Sequence, residues 1–113
     1  MSVSLYYSAH RTAPLTEAET VSVADIVAAR APSFPYQEEE GLFLYPRSDE
    51  PDEILAGSTK LPYEPDRVLP VMTHVLTSVT ELRRALPEAQ WHVHMDDLDV
   101  PWDEADGYAF PGM

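Results

Sequence analysis

Apolar residues alternate with polar ones at the start of the chain: Val3, Leu5, Tyr7 and Ala9 stand between Ser2, Ser4, Tyr6, Ser8 and His10. A period of two predicts a half-buried strand over residues 3–10. Pro14 ends it. Thr16, Glu17 and Glu19 follow, and Thr16-x-x-Glu19 matches a capping box, with two acids placed to favour the helix dipole. The Ala-rich segment behind it carries Val23, Ile26, Val27 and Arg30 on one stripe, which predicts a helix over residues 17–31. Pro32 and Pro35 terminate it, and residues 32–40 read as loop.

Residues 41–46 predict a short strand with Leu42 and Leu44 on one face and Phe43 and Tyr45 on the other. Ser48, Asp49, Pro51 and Asp52 supply turn chemistry. A third strand is expected over 53–61, interrupted by Gly57, which marks a bulge or a close backbone approach. The pair would form a hairpin with a long acidic loop. From Arg67 to Leu86 the apolar set Val68, Val71, Met72, Val75, Leu76, Val79, Leu82 and Leu86 runs at spacings of three and four. That is an amphipathic helix, with Pro70 expected in its first turn. Pro87 stops it. Residues 89–97 alternate again, placing Trp91, Val93 and Met95 on one face and His92, His94 and Asp96 on the other.

The element order is β-α-β-β-α-β. It resembles the split-βαβ, ferredoxin-like arrangement, in topology alone and over residues 3–97. That resemblance implies an α+β sandwich, a four-stranded antiparallel sheet with two helices on one face and the other face open. It assigns no function, because such a fold hosts many. Residues 1–97 are expected to form one domain. Residues 98–113 are expected to form an acidic tail packed on or near it, with Trp102, Tyr108 and Phe110 as anchors.

Composition narrows the function classes. At 113 residues the chain has room for one core. It is 44% hydrophobic, which suits a folded rather than a disordered chain. Twenty acidic residues against seven basic ones leave a net charge of −13. Nucleic-acid and anionic-membrane binding both need a basic face, so neither is expected. No run approaches the roughly 20 apolar residues of a membrane span, and Met1 to Arg11 lacks the basic and apolar regions of a signal peptide. The chain has no cysteine, which removes disulfides, thiolate metal sites and cysteine nucleophiles. The simplest expected location is the cytoplasm.

No motif nominates catalysis. There is no Gly-x-Ser-x-Gly elbow, the Gly57-Ser-Thr-Lys60 run has the wrong order for a phosphate loop, and the carboxylates are too many to rank. An enzyme is therefore not the favoured reading, and no cofactor is expected. The leading expectation is a small acidic interaction module, of inhibitor or immunity type, that binds a basic protein partner through charge. Its contact residues would be Glu38, Glu39, Glu40, Asp49, Glu50, Asp52, Asp97, Asp99 and Asp103. The alternative is a ligand- or metal-binding dimer, associated through the open sheet face, that has room for an enzyme. There Tyr6, Phe43 and Tyr45 would floor a ligand site. His92, His94 and Asp96, with His10 from the first strand, would hold a metal, since His-x-His on a strand puts two imidazoles on one face about 7 Å apart. The tail acids Asp97 to Asp106 fail the EF-hand pattern.

Overall fold

A computed structural model describes residues 3–45 and 50–109. β1 (Ser4–His10) lies inside the sheet, with β2 (Glu53–Lys60) on one side and β3 (Gln90–Met95) on the other, both antiparallel to it. A two-residue strand, β4 (Leu98–Asp99), folds back onto β3, so the sheet order is β2-β1-β3-β4. Two helices, α1 (Glu17–Arg30) and α2 (Pro65–Ala85), complete an α+β architecture with a four-stranded antiparallel sheet.

Two of the expected elements form differently. Residues 41–46 were expected to pair as a full strand, but the described part of that segment makes only one bridge, Leu44 to Gly57. Two backbone hydrogen bonds, Tyr45 N–H to the Ala56 carbonyl at 2.8 Å and Ser58 N–H to the Phe43 carbonyl at 3.2 Å, flank that bridge, and side chains add to them. The Tyr7 hydroxyl accepts a hydrogen bond from the Phe43 amide at 2.9 Å and stands 2.8 Å from Thr59 Oγ1, which donates to the Gly41 carbonyl at 2.7 Å. Gly57 makes room for this approach: a Cβ there would overlap the Phe43 carbonyl oxygen and the Tyr7 ring. The fourth strand of the sheet is instead β4, which the alternation pattern did not reveal.

The helices start where their caps dictate. At α1 the capping box is complete: Thr16 Oγ1 accepts from the Glu19 amide at 3.1 Å, and the Glu19 carboxylate accepts from the Thr16 amide at 2.9 Å. α2 begins two residues before the expected start, because Pro65 occupies the first turn, where a missing N–H costs nothing. Pro70 therefore sits beyond that turn. It is exposed, as is Asp66, so water can reach the carbonyl that Pro70 leaves without a helical partner.

The alternation of β1 resolves cleanly. Leu5, Tyr7 and Ala9 are buried, and Leu5 and Tyr7 form one cluster with Val71, Val75, Leu76 and Val79 of α2 and Val93 of β3. Val23 of α1 joins Leu82 and Leu86 in a neighbouring cluster, with Leu55 and Trp91 of the same sheet face against it. Burying each such aliphatic side chain stabilises the fold by about 1.5–3 kcal/mol. Leu42 and Leu44 pack into these clusters, and Phe43 and Tyr45 turn outward.

Beyond β4 the described residues turn toward α2. They form a small hairpin, β5 (Trp102–Asp103) with β6 (Gly107–Tyr108), against α2. Val100 and Tyr108 are buried there. The Arg83 guanidinium lies 4.1 Å from the centre of the Trp102 ring and donates to the Tyr108 hydroxyl at 2.8 Å. Gly107 adopts φ of 81°, and a Cβ on it would strike Thr80. Phe110, the third expected anchor, lies outside the described residues.

Candidate functional site

The open face of the sheet is built by the residues that alternate with the buried ones. Tyr6 stands opposite His94 and Ser58, and Ser8 opposite His92 and Ala56. The three rings form a continuous stack. Tyr6 and His94 lie 5.2 Å apart at 21°, and His94 and His92 lie 4.5 Å apart at 23°. The imidazoles thus lean together more closely than the strand repeat alone requires. Tyr45 reaches onto the same face, donating to Ser58 Oγ at 2.7 Å, and Phe43 packs edge-on against it at 5.9 Å. Tyr6, Phe43 and Tyr45 are all exposed. The ligand floor expected from these three residues is therefore an open aromatic surface.

The expected metal ligands are distributed differently. His92 Nε2 stands 2.9 Å from Asp99 Oδ1. His94 Nδ1 donates to the Asp96 carbonyl at 2.7 Å, so Asp96 meets it through the backbone. Asp96 itself takes φ of 51°, the left-handed corner that turns β3 into β4. Among the described residues, the donor atoms that converge within 4.8 Å belong to His10, Glu50 and Glu53. Of the expected set only His10 is in that group. Glu53 carried no local signal of such a role. It reaches His10 through a register shift between Ala9 and His10.

The acidic residues expected to contact a partner divide between the two ends of the sheet. At one end, Glu38 and Glu39 pair with Arg67 at 3.0 and 3.3 Å, and Glu40 accepts from the Lys60 amide at 3.1 Å. The Glu38 carboxyl is held below its ordinary range, first by its own backbone amide and then by Arg67. Asp97 and Asp99 are exposed at the β3–β4 turn of this same end. At the other end, Glu50 faces His10, and Asp52 shares a polar cleft with His10, Arg11, Thr12, Glu88 and Gln90. The strand β1 that separates the ends spans roughly 20 Å at a rise of about 3.4 Å per residue. Asp103 lies on the tail hairpin. Its carboxylate accepts from the Ala105 and Asp106 amides, which holds its pKa down and gives it a role in the turn. Asp49 lies outside the described residues.

Among the described residues, each cation has a partner within the chain. Arg11 makes a bidentate pair with Glu19 at 2.7 and 2.9 Å, and this pair, together with the cap, holds the Glu19 pKa down to about 2. Arg30 pairs with Glu81 at 3.8 Å, and Arg67 engages Glu38, Glu39 and Glu64. Arg83 is held by the tail aromatics, and Arg84 donates to the Glu104 and Ala105 carbonyls. Lys60 lies 5.2 Å over the Tyr63 ring. Among the described residues, no helix is long and apolar enough to cross a membrane. In comparisons with known proteins, the chain matches no family model, no curated protein and no solved structure.

Proposed function

We propose that this chain is a non-catalytic acidic interaction module, of the inhibitor or immunity-protein kind, that receives a basic protein partner on its open sheet face. One observation carries the reading. Every Lys and Arg among the described residues is engaged within the chain, so no described cation forms a separate basic patch and the chain as a whole carries its net charge of −13. Such a field attracts a basic partner and speeds encounter with it. It repels nucleic acid, and a second copy of the same chain brings the same sign.

The open face supplies what charge alone lacks. Its stacked Tyr6, His94 and His92 rings, with Tyr45 and Phe43 beside them, offer planar surface for apolar and guanidinium groups, flanked by Asp99 at one end and Glu50 and Asp52 at the other. The ferredoxin-like reading of the fold is part of the same proposal. The Leu44 bridge lies on the edge of β2 away from β1, where that topology places its second strand. A cytoplasmic setting suits the reading.

The test immobilises the wild-type chain and an Asp97→Lys/Asp99→Lys variant and compares the proteins each retains from the native source. The proposal expects one stoichiometric basic protein on the wild type, released by added salt and absent from the variant. Identical retention by both, or retention indifferent to salt, overturns it.

A further inference from the structure

The geometry points to a divalent-metal site of the zinc class at the His10 end of the open face, made by His10, Glu50 and Glu53. It shares Glu50 with the partner surface but needs neither the outward charge nor the ring stack.

The first support is the register. Ala9 pairs with Leu55, so an unbroken antiparallel ladder would set His10 opposite Ile54 and turn Glu53 toward the helices. The ladder instead shifts between Ala9 and His10, and His10 pairs with Glu53. A bulge of this kind re-aims a side chain, and here it brings a carboxylate to the face that carries the imidazole.

The second support is the spacing. His10 Nε2 lies 3.3 Å from Glu50 Oε2 and 3.4 Å from Glu53 Oε2. Charge-assisted hydrogen bonds close to about 2.7–2.9 Å. The same sheet face contains one, His92 to Asp99 at 2.9 Å. The His10–Glu50 contact is itself a hydrogen bond, a long one, and both His10 distances exceed that optimum. They fit the edge of a tetrahedron around an ion: metal–ligand distances of about 2.0–2.1 Å give donor separations of about 3.3–3.4 Å. All three donor atoms lie within 4.8 Å of one another.

The third support is the donor chemistry. One imidazole nitrogen with two carboxylate oxygens suits zinc and its first-row neighbours, whereas calcium and magnesium favour oxygen alone. The His10 side chain is 35% exposed, which admits an ion, while Glu53 at 15% is largely fixed. Glu50 and Glu53 also make further polar interactions, and the ion would share these carboxylates with them.

The test uses the full chain stripped of metal with a chelator. Zn²⁺ binding is followed by calorimetry, and Co²⁺ coordination by its visible absorption. His10→Ala and Glu53→Gln are compared with His94→Ala, and thermal unfolding confirms that each variant is folded. Glu53→Gln is nearly isosteric, so it keeps the test decisive should His10→Ala fail to fold. The expected result is one Zn²⁺ per chain, tetrahedral Co²⁺ bands, and affinity weakened about tenfold or more by either substitution but unchanged in His94→Ala. The proposal is overturned if no stoichiometric Zn²⁺ is taken up. It is equally overturned if uptake survives Glu53→Gln undiminished and is lost in His94→Ala.

Discussion

Tyr7→Phe removes one oxygen atom from the joint that ties residues 41–43 to the sheet. In the wild type that oxygen accepts from the Phe43 amide at 2.9 Å and meets Thr59 Oγ1 at 2.8 Å. Without it the partly buried Phe43 N–H loses its partner, which costs about 1–2 kcal/mol at neutral pH. The same oxygen also makes stability depend on alkaline pH. Burial pushes the Tyr7 pKa from 10.0 to about 12, against the opposing hydrogen bonds from Thr59 and Phe43. The unfolded chain ionises near pH 10, the folded one only near 12. The stabilisation by Tyr7 is therefore complete below pH 10 and is lost as pH rises toward 12. Two pKa units correspond to about 2–3 kcal/mol. The assay is urea unfolding of both proteins at several pH values between about 7 and 12. Every other ionisable group is common to both proteins, so the difference between the two curves isolates Tyr7. The variant is expected to be less stable at neutral pH, with the gap closing or reversing as pH approaches 12. A gap that stays constant across the whole range would refute the buried-phenol account.

Gly57→Ala should destabilise the fold by about 1–3 kcal/mol in chemical denaturation, because the added methyl meets the Phe43 carbonyl and the Tyr7 ring. Arg83→Ala should free the tail hairpin while leaving the sheet intact. Its signature is faster hydrogen exchange at residues 100–108, with unchanged protection in β1 and β3. Glu19 binds Arg11 and caps α1, and its pKa is lowered from 4.5 to about 2. Its contribution is present above about pH 4.5 and lost as pH falls toward 2, so carboxyl NMR should show Glu19 titrating low in wild type and shifted upward in Arg11→Ala, where the Thr16 cap still holds it below the ordinary value.

Local pattern carried the parts of the fold that local physics decides. The alternation in residues 3–10 and 89–97, the Thr16–Glu19 box and the three-four spacing of α2 each state a face or a start in neighbouring residues, and each face or cap formed as expected. Residues 41–46 read as a strand because the outward and inward faces alternate there too. The side chains that also hold the described part of the segment, Tyr7 and Thr59, lie 36 and 18 residues away and leave no mark on the local pattern. The two-residue strands β4, β5 and β6 are too short for any periodicity to register. Their signals were single residues: Asp96 at a left-handed corner, Gly107 at a positive φ, and Val100 and Tyr108 as apolar positions within an acidic stretch. The candidate site shows the same division. His92 and His94 were legible as face partners, whereas the meeting of His10 with Glu53 depends on a bulge that moves the register by one residue.

The central claim is that this chain uses its uncompensated negative charge to hold a basic protein. Native mass spectrometry of the untagged protein, purified gently from its own source and sprayed at low and then raised ammonium acetate, tests it most directly. The account predicts a one-to-one complex with a basic protein at low salt that dissociates to a monomer as the salt rises. A homodimer that persists at both salt concentrations, or a bare monomer at both, would contradict it.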